Sequence, residues 1–172
     1  MGVVYRHTVE AFLGQVARRR SLFTHDELVA LHAAPPRDLD VERWVALVRA
    51  AAAKLRPGAA ADDALEETGR EMVRGYREGL VGRSVFLVAR LVGPRGMLLR
   101  LPETYRTADD VMNLTATARG PREVLLHCAS VFGIPTYVRG VLSETMTVMG
   151  VRHSVSFSVA ADGSTDFVVT WE

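Results

Sequence analysis

The stretch Glu123-Val-Leu-Leu-His-Cys-Ala-Ser130 decides how the last third of the chain is built, and whether that third carries a nucleophile. It holds the only cysteine, Cys128, directly after His127. A thiol beside an imidazole is the pairing of a nucleophile with its base. The apolar residues and the preceding Gly120-Pro121, however, mark Glu123 to Val131 as a strand. Neighbours on a strand point to opposite faces. Val124, Leu126 and Cys128 then share one face, and Leu125, His127 and Ala129 the other. Cys128 reads as a small buried hydrophobe, as most free cysteines are. His127 needs a partner that the sequence does not name, and the two residues form no dyad.

Outward from this strand the period stays short. Met112 to Arg119 is a second strand, joined to the first at Gly120-Pro121. Pro135 suits the first turn of a helix and Gly150 its end, with Val138, Val141, Leu142, Thr145 and Val148 or Met149 as the buried face. Val151 to Val159 alternates, setting Val155, Phe157 and Val159 opposite Ser154, Ser156 and Ser158. After the turn at Asp162-Gly163, Asp166 to Trp171 alternates again, with Phe167, Val169 and Trp171 on one side. Hairpin, helix, hairpin implies a four-stranded, mainly antiparallel sheet covered by helices.

The first two thirds have helical periodicity. Val9, Phe12, Leu13 and Val16 predict a helix over 7–20. Thr24-His-Asp-Glu27 is a capping box opening a short helix to about Ala33, stopped by Pro35-Pro36. Asp40 caps the next helix, whose stripe is Val41, Trp44, Val45, Val48, Ala52 and Leu55 and which ends at Pro57-Gly58. A longer helix over 62–80 presents Leu65, Met72, Val73, Tyr76 and Leu80 to the core. Gly69, Gly75 and Gly79 lie within it, each costing about 1 kcal/mol of helix stability relative to alanine. Something must therefore pack closely there, or the helix breaks. Ser84 to Val92 reads as a buried helix ended by Gly93-Pro94, with a short helix following to about Leu101. The expected fold is α+β in one domain over 1–172, with 1–106 mostly helical and 107–172 forming the ββαββ part.

Composition narrows the function. Apolar residues make up 48% of the chain, enough for a real core, and the formal net charge is +1. No global field draws it to nucleic acid or an anionic membrane. Of 21 basic residues only Lys54 is not arginine, a bias that follows from GC-rich codons. The amino terminus lacks the apolar core of a signal peptide, and the most apolar window, 84–92, is broken by Arg90 and too short to span a bilayer. A cytoplasmic protein with no membrane and no nucleic-acid partner is expected. The aromatics do not interleave as a base-stacking platform requires.

Chemistry-bearing residues are sparse. Of the five histidines only His25 and His32 lie close in sequence, seven apart, where one helix would bring them to one face. With no second cysteine, no metal site is expected. Gly93-Pro-Arg-Gly96 lacks the Gly-Lys-Ser/Thr ending of a phosphate loop. Asp62-Asp63 and Glu66-Glu67 sit where carboxylates suit the start of a helix, and Asp109-Asp110 in a loop. Between Arg70 and Arg106 stand eight arginines against Glu71, Glu78 and Glu103. Arg70, Arg74 and Arg77 fall opposite the apolar stripe of their helix, as a surface for an anionic ligand or, more plainly, as a solvated face.

Four stretches carry a resemblance: Val4-Tyr-Arg-His-Thr-Val-Glu-Ala-Phe12, Gly75-Tyr-Arg-Glu-Gly-Leu-Val-Gly-Arg83, Tyr105-Arg-Thr-Ala-Asp109 and Tyr137-Val-Arg-Gly-Val-Leu142. In that order and spacing the chain resembles a mostly myxobacterial domain-of-unknown-function family, which implies membership and no activity. The last third, with Tyr137, Gly140 and Leu142 opening its helix, is more distantly similar to the fold shared by TRAPP vesicle-tethering subunits, vinyl-reductase-type sensor domains and haem nitric-oxide-binding domains. That likeness implies a helical half beside a four-stranded sheet, often with an apolar ligand between them. The Tyr-x-Ser-x-Arg signature that grips haem propionates is absent, as is a cysteine-rich closing segment, so neither haem nor zinc is implied. The expected function is non-enzymatic: a ligand-binding regulatory or signalling module without a cofactor, holding a small apolar or anionic molecule between helices and sheet. Tyr76, Arg83, Tyr105, Arg106 and His127 are the candidate binding residues. They are also the residues from which an enzyme would have to be assembled. The alternative is a protein-interaction or scaffold domain acting as a homodimer.

Overall fold

In the computed structural model the described residues are 2–106 and 108–172, the side chains of 80–82 excepted. The carboxy-terminal third forms the sheet expected from its alternation. Strands β3 (Thr115–Gly120), β4 (Glu123–Cys128), β5 (His153–Val159) and β6 (Thr165–Trp171) pair antiparallel throughout, in the order β3-β4-β6-β5. Val124, Leu126 and Cys128 face inward with Phe167 and Val169. Leu125 and His127 face outward, as the strand period requires. The β5–β6 turn closes on Asp162, whose Oδ1 accepts from the Ser164 N–H at 2.9 Å and the Ser164 hydroxyl at 2.7 Å.

The helical half begins with β1 (Val3–Val4) on β2 (Leu39–Asp40), a two-residue ladder too short to show in the sequence pattern. Helix α1 (Arg6–Phe12) continues as a π-helical segment over Leu13–Arg18. Helix α2 (His25–Ala30) carries the capping box: Thr24 Oγ1 accepts from the Glu27 N–H, and Glu27 Oε2 from the Thr24 N–H at 2.7 Å. Helix α3 (Val41–Leu55) is capped by Asp40 and buries Trp44, Leu47, Val48, Ala51 and Ala52. With Val9, Phe12, Leu13, Val16 and Leu65 these residues make one core. Leu98, Val138, Leu142 and Met146 make a second core on the sheet's inner face. Phe132 and Tyr137 pack against both.

Helices α4 (Ala61–Glu78) and α6 (Pro135–Val148) lock the halves together. A Cβ at Gly69 would overlap the Tyr137 carbonyl oxygen, and one at Gly140 the Glu66 carbonyl oxygen. Gly75 faces the π segment, where a Cβ would meet the Gln15 carbonyl oxygen at 2.5 Å. Gly79 is the break: its extended backbone (ψ 157°) separates α4 from α5 (Leu80–Tyr105). The glycines thus serve both purposes their spacing suggests, two for close approach and one for a break.

Three sequence readings need correction. The buried side of α4 is Ala64, Leu65, Thr68, Gly69, Glu71, Val73 and Gly75, so it includes small and charged residues that a search for large apolar ones passes over. Met72 and Tyr76 are half-buried, and the Leu80 side chain lies outside the described residues. Helix α6 likewise buries a second face, Thr136, Gly140, Ser143 and Glu144, because α4 covers it while the sheet covers the first. The stretch 84–92 is helical but not buried: Val85, Leu87, Val88, Leu91 and Val92 are exposed. The kink at Gly93 (φ 75°, ψ 168°), a conformation that suits glycine, turns the helix there, and only its second part enters the core, through Leu98.

Candidate functional site

The structure does not gather the five candidate residues into one place. Tyr76 is half-buried on α4, its ring edge-on to Phe86 at 6.3 Å. Arg83 is exposed on α5, and Arg106 is exposed just after that helix. His127 lies on the outer sheet face, away from the helices. Its partner is Asp166, directly opposite on β6, with Nδ1 to Oδ1 at 2.7 Å. Tyr105 alone points into the interior, so it and His127 are separated by the sheet itself.

Around Tyr105 the structure assembles a different group. Tyr105 closes α5, Tyr137 opens α6 and Cys128 ends β4. All three belong to or border the core on the inner sheet face. Burial pushes the Tyr105 phenol well above its ordinary value, and the nearby Cys128 and Asp109 push it further. Burial also raises the Tyr137 phenol, with Tyr105 adding to it. The Cys128 thiol is pushed up to about 12 by burial and then by Asp109 and Asp166. At neutral pH this cluster is therefore two un-ionised phenols and a protonated thiol. Directly across the ladder from Cys128, the fully buried Thr165 hydroxyl has no hydrogen-bond partner among the described residues. Buried hydroxyls without partners are uncommon in folded proteins.

The cluster occupies the seam between the two halves. The Tyr137 ring reaches across to Phe12 of α1 at 6.5 Å. Met97, Leu101 and Phe132 pack, as Tyr105 and Tyr137 do, against the core on the inner sheet face. Tyr105 and Tyr137 lie deep, yet each keeps part of its surface accessible. Asp109 fixes the loop beside them, its Oδ1 accepting from the N–H groups of Val111 at 2.9 Å and Met112 at 2.6 Å. Of these residues the sequence singles out Tyr105 as a binding candidate, Cys128 as a buried hydrophobe and Tyr137 only as part of a helix opening. The convergence of α5, α6 and β4 is long-range and has no local signature.

The arginine surface resolves differently. Glu71, 1% exposed, accepts from Arg19 at 2.7 Å, Arg20 at 2.7 Å and Arg74 at 3.0 Å. Burial works to raise its pKa, but the guanidinium hydrogen bonds outweigh it and hold the carboxyl below the usual range. Arg74 also donates to Glu67 at 2.7 Å and Glu144 at 3.1 Å. Arg70 pairs with Glu66 at 2.8 Å, and Arg139 of α6 pairs with the same carboxylate. Arg70 and Arg74 are thus spent on an internal network rather than offered to an external anion. His25 and His32 do not share a helix face, because α2 ends at Ala30 and His32 takes a positive φ of 57°.

Residues 3–172 match the model of a family described as Protein of unknown function (DUF2378). No curated protein matches the sequence. Among solved structures, an Fe(II) unliganded H-NOX protein mutant from K. algicida is similar at 12% identity, over 97% of this chain and 96% of that one, with a TM-score of 0.67. A mutant H-NOX of T. tengcongensis is similar at 15% identity, over 97% of each chain, with a TM-score of 0.67. An oxygen-binding H-NOX domain related to soluble guanylate cyclases, in its oxygen complex, is similar at 15% identity, over 97% of this chain and 94% of that one, with a TM-score of 0.70. These likenesses show a shared fold.

No histidine among the described residues reaches the seam, so haem iron would find no imidazole ligand there. Iron in a porphyrin takes an axial imidazole, thiolate, thioether or phenolate. His127 turns outward to Asp166, and His7, His25 and His32 are exposed. His153 begins β5 with its Nδ1 3.2 Å from the Val151 carbonyl oxygen. Cys128 and both phenols lie un-ionised in an apolar core, so iron would have to displace a proton there to gain a thiolate or phenolate ligand. Among the described residues no three His, Cys, Asp or Glu side chains gather to hold a metal.

Proposed function

The chain belongs to the DUF2378 family, and from that premise and the geometry of its seam we propose that it is a regulatory module that binds a small, largely apolar molecule carrying a hydrogen-bond acceptor. One observation carries this: Tyr105, Tyr137 and Cys128 bring un-ionised donors together in an apolar seam, and the two phenols keep partial access. Convergent polar groups with displaced pKa values mark functional sites, and because the depressions at Arg95–Arg119 and Arg49–Leu65 do not include these residues, a guest has to part the seam to enter. The seam's own donors are neutral, and the inward-lying guanidinium of Arg139 over Phe157 is already paired with Glu66, so the seam favours a neutral acceptor such as a ketone or quinone over a carboxylate. The partnerless Thr165 hydroxyl beside Cys128 fits a cluster that a guest completes. The fold shared with H-NOX domains supports a role in sensing, with a guest other than haem.

Native mass spectrometry of the chain purified from its own host, then titrated with apolar ketones and quinones, tests the proposal. A retained or added small molecule is expected on the wild-type chain. Losing one hydrogen bond is worth about 1 kcal/mol, so Tyr105→Phe and Tyr137→Phe should each weaken binding roughly fivefold. Absence of any adduct, or binding by Tyr105→Phe and Tyr137→Phe as tight as that of the wild-type chain, would refute it.

A further inference from the structure

Helix α5 before its kink is amphipathic in the wrong sense for a free surface. At 100° per residue, Leu87, Leu91, Val88, Val92 and Val85 form one continuous arc, and that arc faces outward, with Leu87 63% and Leu91 82% exposed. The inward side carries Ala89, Phe86 against Tyr76, and Arg90, which donates from Nε at 3.2 Å and Nη2 at 2.9 Å to the Val148 carbonyl oxygen at the end of α6. An arginine is thus used to fasten the helix while its leucines face water. Five of the seven large apolar residues found exposed lie in this one stretch.

Charge says what covers the arc. Between Glu78 and Glu103 there is no carboxylate, while Arg83, Arg90, Arg95 and Arg100 all fall there. Beside the second part of the helix, Arg95 and Arg119 line an open depression with Ala118, Gly120 and Pro121. A second copy of the chain would bring the same arginines against these. Five partly exposed side chains on two turns of one helix are a small patch beside the ~800 Å² per partner of a stable dimer. An exposed apolar helix face with the exposed Arg83 before it and Arg95 and Arg100 after it instead matches the interface of an anionic bilayer, where such helices lie in the plane with their apolar side among the acyl chains. No helix among the described residues is long and apolar enough to cross a membrane, so the contact is peripheral. We propose that residues 85–92 dock this chain on anionic membrane surfaces, through a face independent of the seam.

Flotation of the full chain with phosphatidylglycerol–phosphatidylcholine vesicles tests this, with pure phosphatidylcholine vesicles alongside. Binding to the anionic vesicles is expected, weakened by salt. The double variant Leu87→Asp, Leu91→Asp should bind roughly tenfold more weakly or worse. Val159→Asp, at a residue 54% exposed on β5, should change nothing. Circular dichroism checks that each variant folds. No flotation, equal binding to pure phosphatidylcholine, or unchanged binding by the double variant would each overturn the proposal. So would light scattering that finds a dimer broken by the double variant, because a second copy would then be what covers the arc.

Discussion

Replacing Gly69 by alanine separates helix propensity from packing, because the two make opposite predictions. Within an isolated helix, Gly→Ala is worth about 1 kcal/mol in favour of the helix. In the folded chain the new Cβ would overlap the Tyr137 carbonyl oxygen and lie 2.9 Å from the Val141 nitrogen. Both are backbone atoms of α6, so no flexible side chain can yield, and α6 as a whole must move. Overpacking costs about 1–3 kcal/mol, and a clash with backbone that cannot yield belongs at the upper end, about 2–3 kcal/mol. The net for Gly69→Ala is then a loss of about 1–2 kcal/mol despite the better helix former. At roughly 2–4 °C per kcal/mol for a chain of this size, the melting temperature should fall by about 2–8 °C. Gly14→Ala is the control: nothing lies within 4 Å of a Cβ there, so it should stabilise by about 0.5–1 kcal/mol. Differential scanning calorimetry of both variants reads the contrast. Should Gly69→Ala melt at or above the wild-type temperature, the close α4–α6 contact is wrong, and with it the placement of Tyr137 in the seam.

Two further outcomes concern buried ionisable groups. Glu71→Gln should lose about 2–3 kcal/mol at neutral pH in a urea titration, since it removes the charge that three guanidinium groups share; their partial exposure keeps the loss below that of a fully buried pair. The folded Glu71 pKa is depressed, so its contribution is present above the ordinary carboxylate value and lost as pH falls through the folded one. The gap between wild type and variant should therefore close in acid, and a gap that persists there would point to packing instead of charge. Cys128, with its thiol pushed up to about 12 and buried, should resist a maleimide at pH 8 in the native chain and react promptly in denaturant. Prompt native labelling would contradict the inward face of β4.

Features set by nearest neighbours were legible in the sequence, and features set by distant ones were not. The alternation of Val124, Leu126 and Cys128 and the caps at Thr24 and Asp40 follow from contacts within a few residues, and the structure carries them as read. Glu71 shows the converse. On a helix wheel it belongs to the polar side, and only Arg19 and Arg20, some fifty residues earlier in the chain, turn that side into an interior. The apolar run 84–92 errs in the opposite direction, since hydrophobicity states a preference for burial and says nothing of whether the fold supplies a cover. Asp166 as the partner of His127 was nearer to hand. It follows from pairing β4 with β6 in the one register that keeps Leu126 and Phe167 opposed on the core face. The seam needed still more, because α5, α6 and β4 meet there only once the glycines of α4 and α6 have let those two helices touch. Tyr137 belongs to that contact through its carbonyl and to the seam through its ring. Any guest that moves the ring must therefore pull on the helix pair that joins the two halves of the fold.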